Sequence, residues 1–265
     1  MQTAVTSGFA FLFGCVIGSF LSVVAYRLPR GESFVGGRSH CPACGATIAA
    51  YDNVPVLSWL ILRGRCRTCA ARISVTYPLI ELGTGLAFAA AVAVHLEAAE
   101  GLATGPDAAG LAAGLVFIAV LATITLVDLE RRIIPNKVLL AGAIVGLPLL
   151  LFADSESALD RAIAIAAGGG ALFVVAFAYP RGMGMGDAKL AALMGLFLGR
   201  AVAPGLLIGF LAGAIVGVAL IVRGGAAARK QAVPFGPFLA LGAVVALLAG
   251  EEIVDWYVDE FFPDP

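Results

Sequence analysis

Gly182-Met183-Gly184-Met185-Gly186-Asp187-Ala188-Lys189 sets a carboxylate between a glycine-rich stretch and the start of a strongly apolar segment. A second boundary of the same kind is Leu126-Val127-Asp128-Leu129-Glu130-Arg131-Arg132-Ile133-Ile134-Pro135-Asn136, where another apolar run ends on Asp128. An ionisable group at the edge of hydrocarbon is expensive to keep and is a functional candidate by default. Two of them on one side of a membrane suggest a pair.

The rest of the chain supplies the membrane. Its 265 residues are 60% hydrophobic and 13% charged, with a mean hydropathy of +0.98. A soluble domain is about 45–50% apolar and about 25% charged. Apolar runs at 8–26, 78–96, 109–127, 138–153, 161–179, 188–199, 202–222 and 235–250 predict an all-α polytopic membrane protein of about eight transmembrane helices. The fourth and sixth runs fall short of the roughly 20 residues a span needs. The first run has neither a basic segment before it nor a small-residue cleavage site after it, so it reads as a retained helix rather than a signal peptide. A β-barrel would need alternating strands, which this pattern lacks.

Charge then orients the spans. Arg27, Arg30, Arg38, Arg63, Arg65, Arg67 and Arg72 follow the first span. Arg131, Arg132 and Lys137 follow the third, Arg181 and Lys189 the fifth, and Arg223, Arg229 and Lys230 the seventh. The opposite loops and the C-terminal tail carry Glu97, Glu100, Asp107, Asp154, Glu156, Asp160, Glu251, Glu252, Asp255, Asp259, Glu260 and Asp264, with only Arg161 and Arg200 as basic residues. The positive-inside rule makes the basic loops cytoplasmic and puts both termini outside. These basic clusters are an orientation signal, so the lipid bilayer is an expected partner and nucleic acid is not. The expected organisation is a first transmembrane helix at 1–26, a cytoplasmic loop at 27–77, a second span and outer loop at 78–108, a membrane domain at 109–250 and an acidic outer tail at 251–265. Gly168, Gly169, Gly170, Gly195, Gly209, Gly213 and Gly217 lie where small residues let helices approach closely, although glycine is common in membrane helices anyway.

Cys41-Pro42-Ala43-Cys44 and Cys66-Arg67-Thr68-Cys69 are paired as in zinc sites. Four thiolates close a tetrahedral shell with no open position, so the expected Zn2+ is structural. Gly45 and Gly64 suit the tight turns. Two disulfides are the alternative, and a cytoplasmic location argues against them. Cys15 reads as a small buried apolar residue, His40 as a loop residue and His95 as interfacial.

Asp128 and Asp187 both map to cytoplasmic helix ends. Two carboxyls in close contact cannot both ionise easily and share a proton. Such a dyad activates water with one member and protonates the substrate with the other. Separately, Asp187 has the alternative of a helix N-cap, and Asp128 that of an ion pair with Arg131 or Arg132. Glu130 points to a different helix face from Asp128. Only two histidines are present, which disfavours a histidine-based zinc protease.

The ordered set of motifs resembles the bacterial prepilin peptidases, the type IV leader peptidases of the GxGD intramembrane aspartyl protease group. The resemblance rests on Gly18-Ser19-Phe20-Leu21-Ser22 through Leu28-Pro29 (with Ser22 in place of an expected Asn), the two cysteine pairs, and Tyr51-Asp52-Asn53-Val54-Pro55-Val56-Leu57-Ser58-Trp59-Leu60. It continues through Tyr77-Pro78-Leu79-Ile80-Glu81-Leu82, Asp128 with Ile134-Pro135, Gly184-Met185-Gly186-Asp187, and Pro234-Phe235-Gly236-Pro237. It implies an inner-membrane endopeptidase, with Asp128 and Asp187 catalytic and Gly184, Gly186 and Lys189 in the active-site loop. The implied reaction cuts type IV prepilin or pseudopilin precursors after the leader glycine on the cytoplasmic side. It also implies N-methylation of the new terminus with S-adenosylmethionine as donor, the 27–77 loop contributing and Glu81 a candidate participant. The reading from another class is a zinc-loop membrane scaffold or transporter, in which the aspartates would be caps or ion-pathway groups.

Overall fold

The computed structural model describes residues 2–33, 36–97, 102–153, 158–180, 182–228 and 233–262. Arg181, Arg229, Lys230, Glu100, Asp154, Glu156 and Asp264 lie outside them. Among the described residues the chain is helical, with three isolated β-bridges and no strand. Seven helical stretches among the described residues are long and apolar enough to cross a membrane. Large apolar side chains such as Phe152, Phe177, Ile144 and Val222 face outward, which suits contact with lipid. The chain divides into two compact units, Met1–Ala93 and Val94–Pro265.

In the first unit, α1 (Gln2–Arg27) packs on α3 (Thr76–Glu97), and the connection between them carries the short helix α2 (Leu57–Ile61). Small residues set the α1–α3 seam. A β-carbon at Gly14 would lie 2.8 Å from the Gly85 Cα, and one at Gly18 would lie 2.8 Å from the Glu81 Cα. Backbones this close gain dispersion contacts, which drive helix association in lipid. At the end of α1 the buried Arg27 guanidinium donates to the carbonyls of Ser33, Gly36 and Arg38 and so fixes where the connection leaves the helix.

The second unit is built on α4 (Ala108–Arg131), the most buried of its spans. Around it lie α5 (Asn136–Ala153), α6 (Ala158–Ala164) continuing through a π-helical turn at Ile165–Gly169 into α7 (Gly170–Ala178), α8 (Met185–Leu198), α9 (Val202–Ala228) and α10 (Gly236–Phe261). Phe117 of α4 stacks on Phe197 of α8 with ring centroids 4.5 Å apart.

The apolar stretch Met185–Gly224 is one of the seven by length, yet it is two arms. Gly199 breaks it at φ 54°, ψ −131°. A β-carbon at Gly168 would contact both Ala191 and Leu206, which a single straight helix would hold roughly 22 Å apart. The sixth and seventh predicted runs are therefore these two arms, and α8 is the short one.

Several boundaries differ from the sequence reading. Helix α10 continues through Glu251 to Phe261 instead of ending at 250, because Arg200 pairs with Glu251 at 2.5 Å and Asp255 at 2.8 Å, one turn apart on the same face. Arg161, read as a loop cation, is 7% exposed within α6. Of the singled-out glycines, Gly169, Gly195, Gly209 and Gly213 sit in tight helix contacts, whereas Gly170 and Gly217 face open space.

Candidate active site and metal centre

Asp128 occupies the last turn of α4 and is 5% exposed. The helix stops at Arg132, whose left-handed backbone (φ 56°) returns its N–H to the Asp128 carbonyl at 2.8 Å. The Asp128 side chain points across to the start of α10, where the Gly236 N–H donates to Oδ2 at 2.9 Å. A β-carbon at Gly236 would sit 2.8 Å from that oxygen. Glycine is needed here because the amide of Pro234-Phe235-Gly236 must come this close to the carboxylate.

Asp187 lies in the first turn of α8, three residues after the N-cap Gly184. Its Oδ2 accepts the Gly184 N–H at 3.1 Å, and its charge suits the positive end of the helix dipole. It is thus not the N-cap residue, although its carboxylate satisfies the N-cap amide. Gly186 packs flat against the chain that leaves α4, since a β-carbon there would lie 3.0 Å from Cβ of Ile134. On the same seam Lys189 Nζ donates to Oδ1 of Asn136 at 3.0 Å.

These contacts draw the ends of α4 and the starts of α5, α8 and α10 into one cluster. Ile134, two residues beyond Arg132, touches Gly186, which precedes Asp187, and Asn136 at the start of α5 holds Lys189 of α8. Glu130 is exposed. Asp128, Gly184, Gly186, Asp187 and Lys189 therefore share one site in the second unit. Gly236 and Asn136 belong to it as well. Gly236 stands in a quoted motif, but only the fold reveals it as a hydrogen-bond donor. Asn136 gives no signal of its own.

The four paired cysteines converge in the first unit. Their sulfurs all lie within 4.8 Å of one another, with Cys41 and Cys69 3.8 Å apart. A tetrahedron with Zn–S bonds near 2.3 Å has edges of about 3.8 Å, so the cluster fits that ion. The cysteines are free thiols, not disulfides. Each pair forms a similar knuckle. Cys41 N–H donates to the Ala46 carbonyl and Gly45 N–H to that of Cys41; Cys66 and Ala70 repeat the pattern with Ala71 and Cys66. The left-handed position is Gly45 (φ 70°) in one knuckle and Ala70 (φ 57°) in the other.

The electrostatics suit a cation. Backbone N–H groups of Cys69 and Thr68 bring the Cys66 thiol down to about 6. At Cys69 the Ala71 N–H favours the thiolate, yet the Cys44 sulfur, burial and the sulfurs of Cys66 and Cys41 push it up to about 12. Four thiolates this crowded need a positive ion to coexist. Arg67, inside the second knuckle, ties the cluster to the loop. It grips Asp52 through two hydrogen bonds of 2.7 and 2.6 Å and holds that carboxyl below the usual carboxylate range.

Glu81 is buried in the second turn of α3 and reaches the same loop. Its Oε2 accepts the Val56 N–H at 2.7 Å, and its carboxylate also takes the Ser19 hydroxyl. Val56 is the centre of a γ-turn, with φ 61°, ψ −52° and Leu57 N–H on the Pro55 carbonyl. A β-branched residue at positive φ is a strained outlier. Ser58 holds the turn from the other side, accepting the Val54 N–H and donating to the Tyr51 carbonyl. Glu81 therefore organises the run between the cysteine pairs.

Two family models match the chain: the Bacterial Peptidase A24 N-terminal domain over residues 12–95 and the Type IV leader peptidase family over 115–221. A prepilin leader peptidase/N-methyltransferase of Aeromonas hydrophila is 37% identical over 281 residues, covering 95% of this chain and 93% of the relative. One of Bacillus subtilis is 36% identical over 256 residues, covering 94% and 96%. One of Aeromonas salmonicida is 36% identical over 279 residues, covering 94% and 92%. No solved structure matches. With identity of this level running nearly end to end, and both family models matching in order, the chain belongs to the type IV leader peptidase family.

Proposed function

We propose that the protein is an intramembrane aspartyl endopeptidase that removes the leader of type IV prepilin or pseudopilin precursors and N-methylates the new terminus. The observation that carries the peptidase reading is that Asp128 and Asp187 stand at the meeting ends of α4 and α8, each carboxylate held by the backbone N–H of a glycine. In hydrolysis the ionised member takes a proton from water while the protonated member gives its proton to the scissile carbonyl oxygen. The tetrahedral adduct then collapses, the leaving nitrogen takes up a proton, and the dyad returns to its shared-proton state. Gly184 supplies the N–H that holds Asp187, Gly186 lets the start of α8 lie flat against Ile134, and Lys189, tied to Asn136, fixes the α5–α8 seam.

Cleavage after the leader glycine, at the bacterial inner membrane, is what the family resemblance implies, and the basic-loop orientation supports a site on the cytoplasmic side. In the 27–77 loop, Cys41, Cys44, Cys66 and Cys69 hold one structural Zn2+. The methyl donor in this reading is S-adenosylmethionine, a co-substrate, and Glu81 shapes the loop region that serves methylation. Incubating the purified protein with a prepilin and S-adenosylmethionine, followed by mass spectrometry of the product, tests both activities. The expected product begins directly after the leader glycine and carries one added methyl. An unmethylated product would remove the transferase half, and uncut precursor the whole reading.

A further inference from the structure

Helix α8 carries Asp187 at one end and is too short to cross the bilayer. Its 14 residues span about 21 Å against a hydrocarbon core of about 30 Å. Its last turn, Leu196 to Leu198, is buried, so the carbonyls there must find partners within the protein. Gly195 O is taken by the Gly199 N–H. Leu196 O and Phe197 O are taken by Arg161, whose Nη1 donates to them at 3.1 and 2.9 Å from the neighbouring helix α6. A 7%-exposed guanidinium is thus spent on the end of α8 opposite the carboxylate. Its positive charge also meets the negative end of that helix's dipole.

The same neighbour fixes α8 sideways. A β-carbon at Gly195 would lie 2.5 Å from the Ala164 carbonyl, and one at Gly169 would lie 2.6 Å from the Ala192 Cβ. Both contacts flank the π-helical turn Ile165–Gly169. Such turns are often found at functional sites. Helix α8 is a rigid rod held at its far end by Arg161 and along its side by this turn.

We infer that Arg161 is a positioning residue for cleavage: by gripping the Leu196 and Phe197 carbonyls it sets the depth of α8 and thereby brings Asp187 to Asp128. The inference rests on the reading of Asp187 as a catalytic residue. A shift of about 1 Å in a reacting group costs about 100-fold in rate, and α8 passes its displacement directly to its first turn.

The test is steady-state cleavage of a prepilin by the full chain in detergent, with melting temperature measured alongside. Arg161→Met is expected to lower kcat about 100-fold with KM within about threefold. Arg161→Lys keeps the charge and enough N–H donors for both carbonyls, which Nη1 alone serves, but on a shorter side chain, and is expected to fall in between, about tenfold down, with melting unchanged. Gly195→Ala pushes α8 off α6 by another route and is expected to reproduce the kcat-specific loss. Wild-type kcat in Arg161→Met overturns the inference. So does a loss of kcat that follows melting temperature through the series, since Arg161 would then serve only the fold. If Arg161→Met does not accumulate, Arg161→Lys decides: lowered kcat with unchanged melting supports positioning, and unchanged kcat overturns it. Asp187→Asn is run beside them. Cutting that survives Asp187→Asn defeats the catalytic reading itself, whereas a dead Asp187→Asn with a normal Arg161→Met defeats only the positioning role.

Discussion

Replacing Gly236 by alanine tests the dyad without touching either carboxylate. The new β-carbon would begin 2.8 Å from Asp128 Oδ2 and 3.2 Å from its Cγ, and ordinary contact starts near 3.4 Å. The carboxyl must retreat by about 0.6 Å, and the 2.9 Å bond from the Gly236 N–H lengthens with it. A hydrogen bond to a charged group contributes about 1.5–3 kcal/mol, and misplacement on the scale of 1 Å costs up to about 100-fold in rate. The expected result is a 10- to 100-fold fall in kcat with KM little changed, because the substitution displaces a reacting group and removes no substrate contact. Alanine raises helix propensity by about 1 kcal/mol over glycine, and crowding against Pro237 opposes that gain. Melting temperature should therefore move little. The assay is single-turnover prepilin cleavage followed by gel shift, with melting measured on the same samples. Wild-type kcat in well-folded Gly236→Ala would refute the reasoning, since Asp128 would then not need the place that Gly236 gives it.

Ala70→Gly should tighten the metal knuckle by about 1 kcal/mol, because Ala70 sits at φ 57° where its partner position has Gly45; a zinc-chelator competition titration reads this as roughly fivefold slower or weaker metal loss. The Asp52–Arg67 grip holds the Asp52 carboxyl below its unfolded value near 3.9, so its contribution is complete above about pH 4 and is lost as pH falls through the lower folded value. Hydrogen exchange at Tyr51–Asn53 should differ between wild type and Arg67→Met by the same amount from pH 7.5 to 5, and converge only below about 4. Glu81→Gln keeps an oxygen for the Val56 N–H but loses its charge; methylation of an already cut pilin should fall at least tenfold while prepilin cleavage stays within about twofold.

The parts of this protein legible in its sequence are those fixed by local chemistry. Hydrocarbon needs long apolar helices, so the spans could be located; charge bias orients their loops. Metal ligands must carry their own spacing, so the Cys41–Cys44 and Cys66–Cys69 knuckles were visible as pairs before the fold brought their sulfurs together. Asp128 and Asp187 stood out because a carboxylate at the edge of hydrocarbon is costly wherever it occurs. What sequence could not show depends on partners far along the chain. Gly236 serves Asp128 from a helix 108 positions away, and Arg161 serves α8 from 35 and 36 positions away. Arg161 reads as a loop cation in the sequence because composition cannot tell a snorkelling side chain from one aimed inward. The extension of α10 past Gly250 was hidden for a similar reason, its acidic face being stabilised by Arg200 of another helix. The short arm α8 was found by its apolar run, yet its reversal at Gly199 depends on a backbone conformation, not on composition.

The most direct test of the central claim is cleavage of a purified prepilin by the detergent-solubilised protein beside Asp128→Asn and Asp187→Asn. Asparagine keeps the shape and can still accept the Gly236 or Gly184 N–H, so both variants should fold. The account predicts a cut directly after the leader glycine in wild type and a loss of at least 1,000-fold in each variant, about 4 kcal/mol of barrier. Cleavage by either folded variant at a rate near wild type would contradict it.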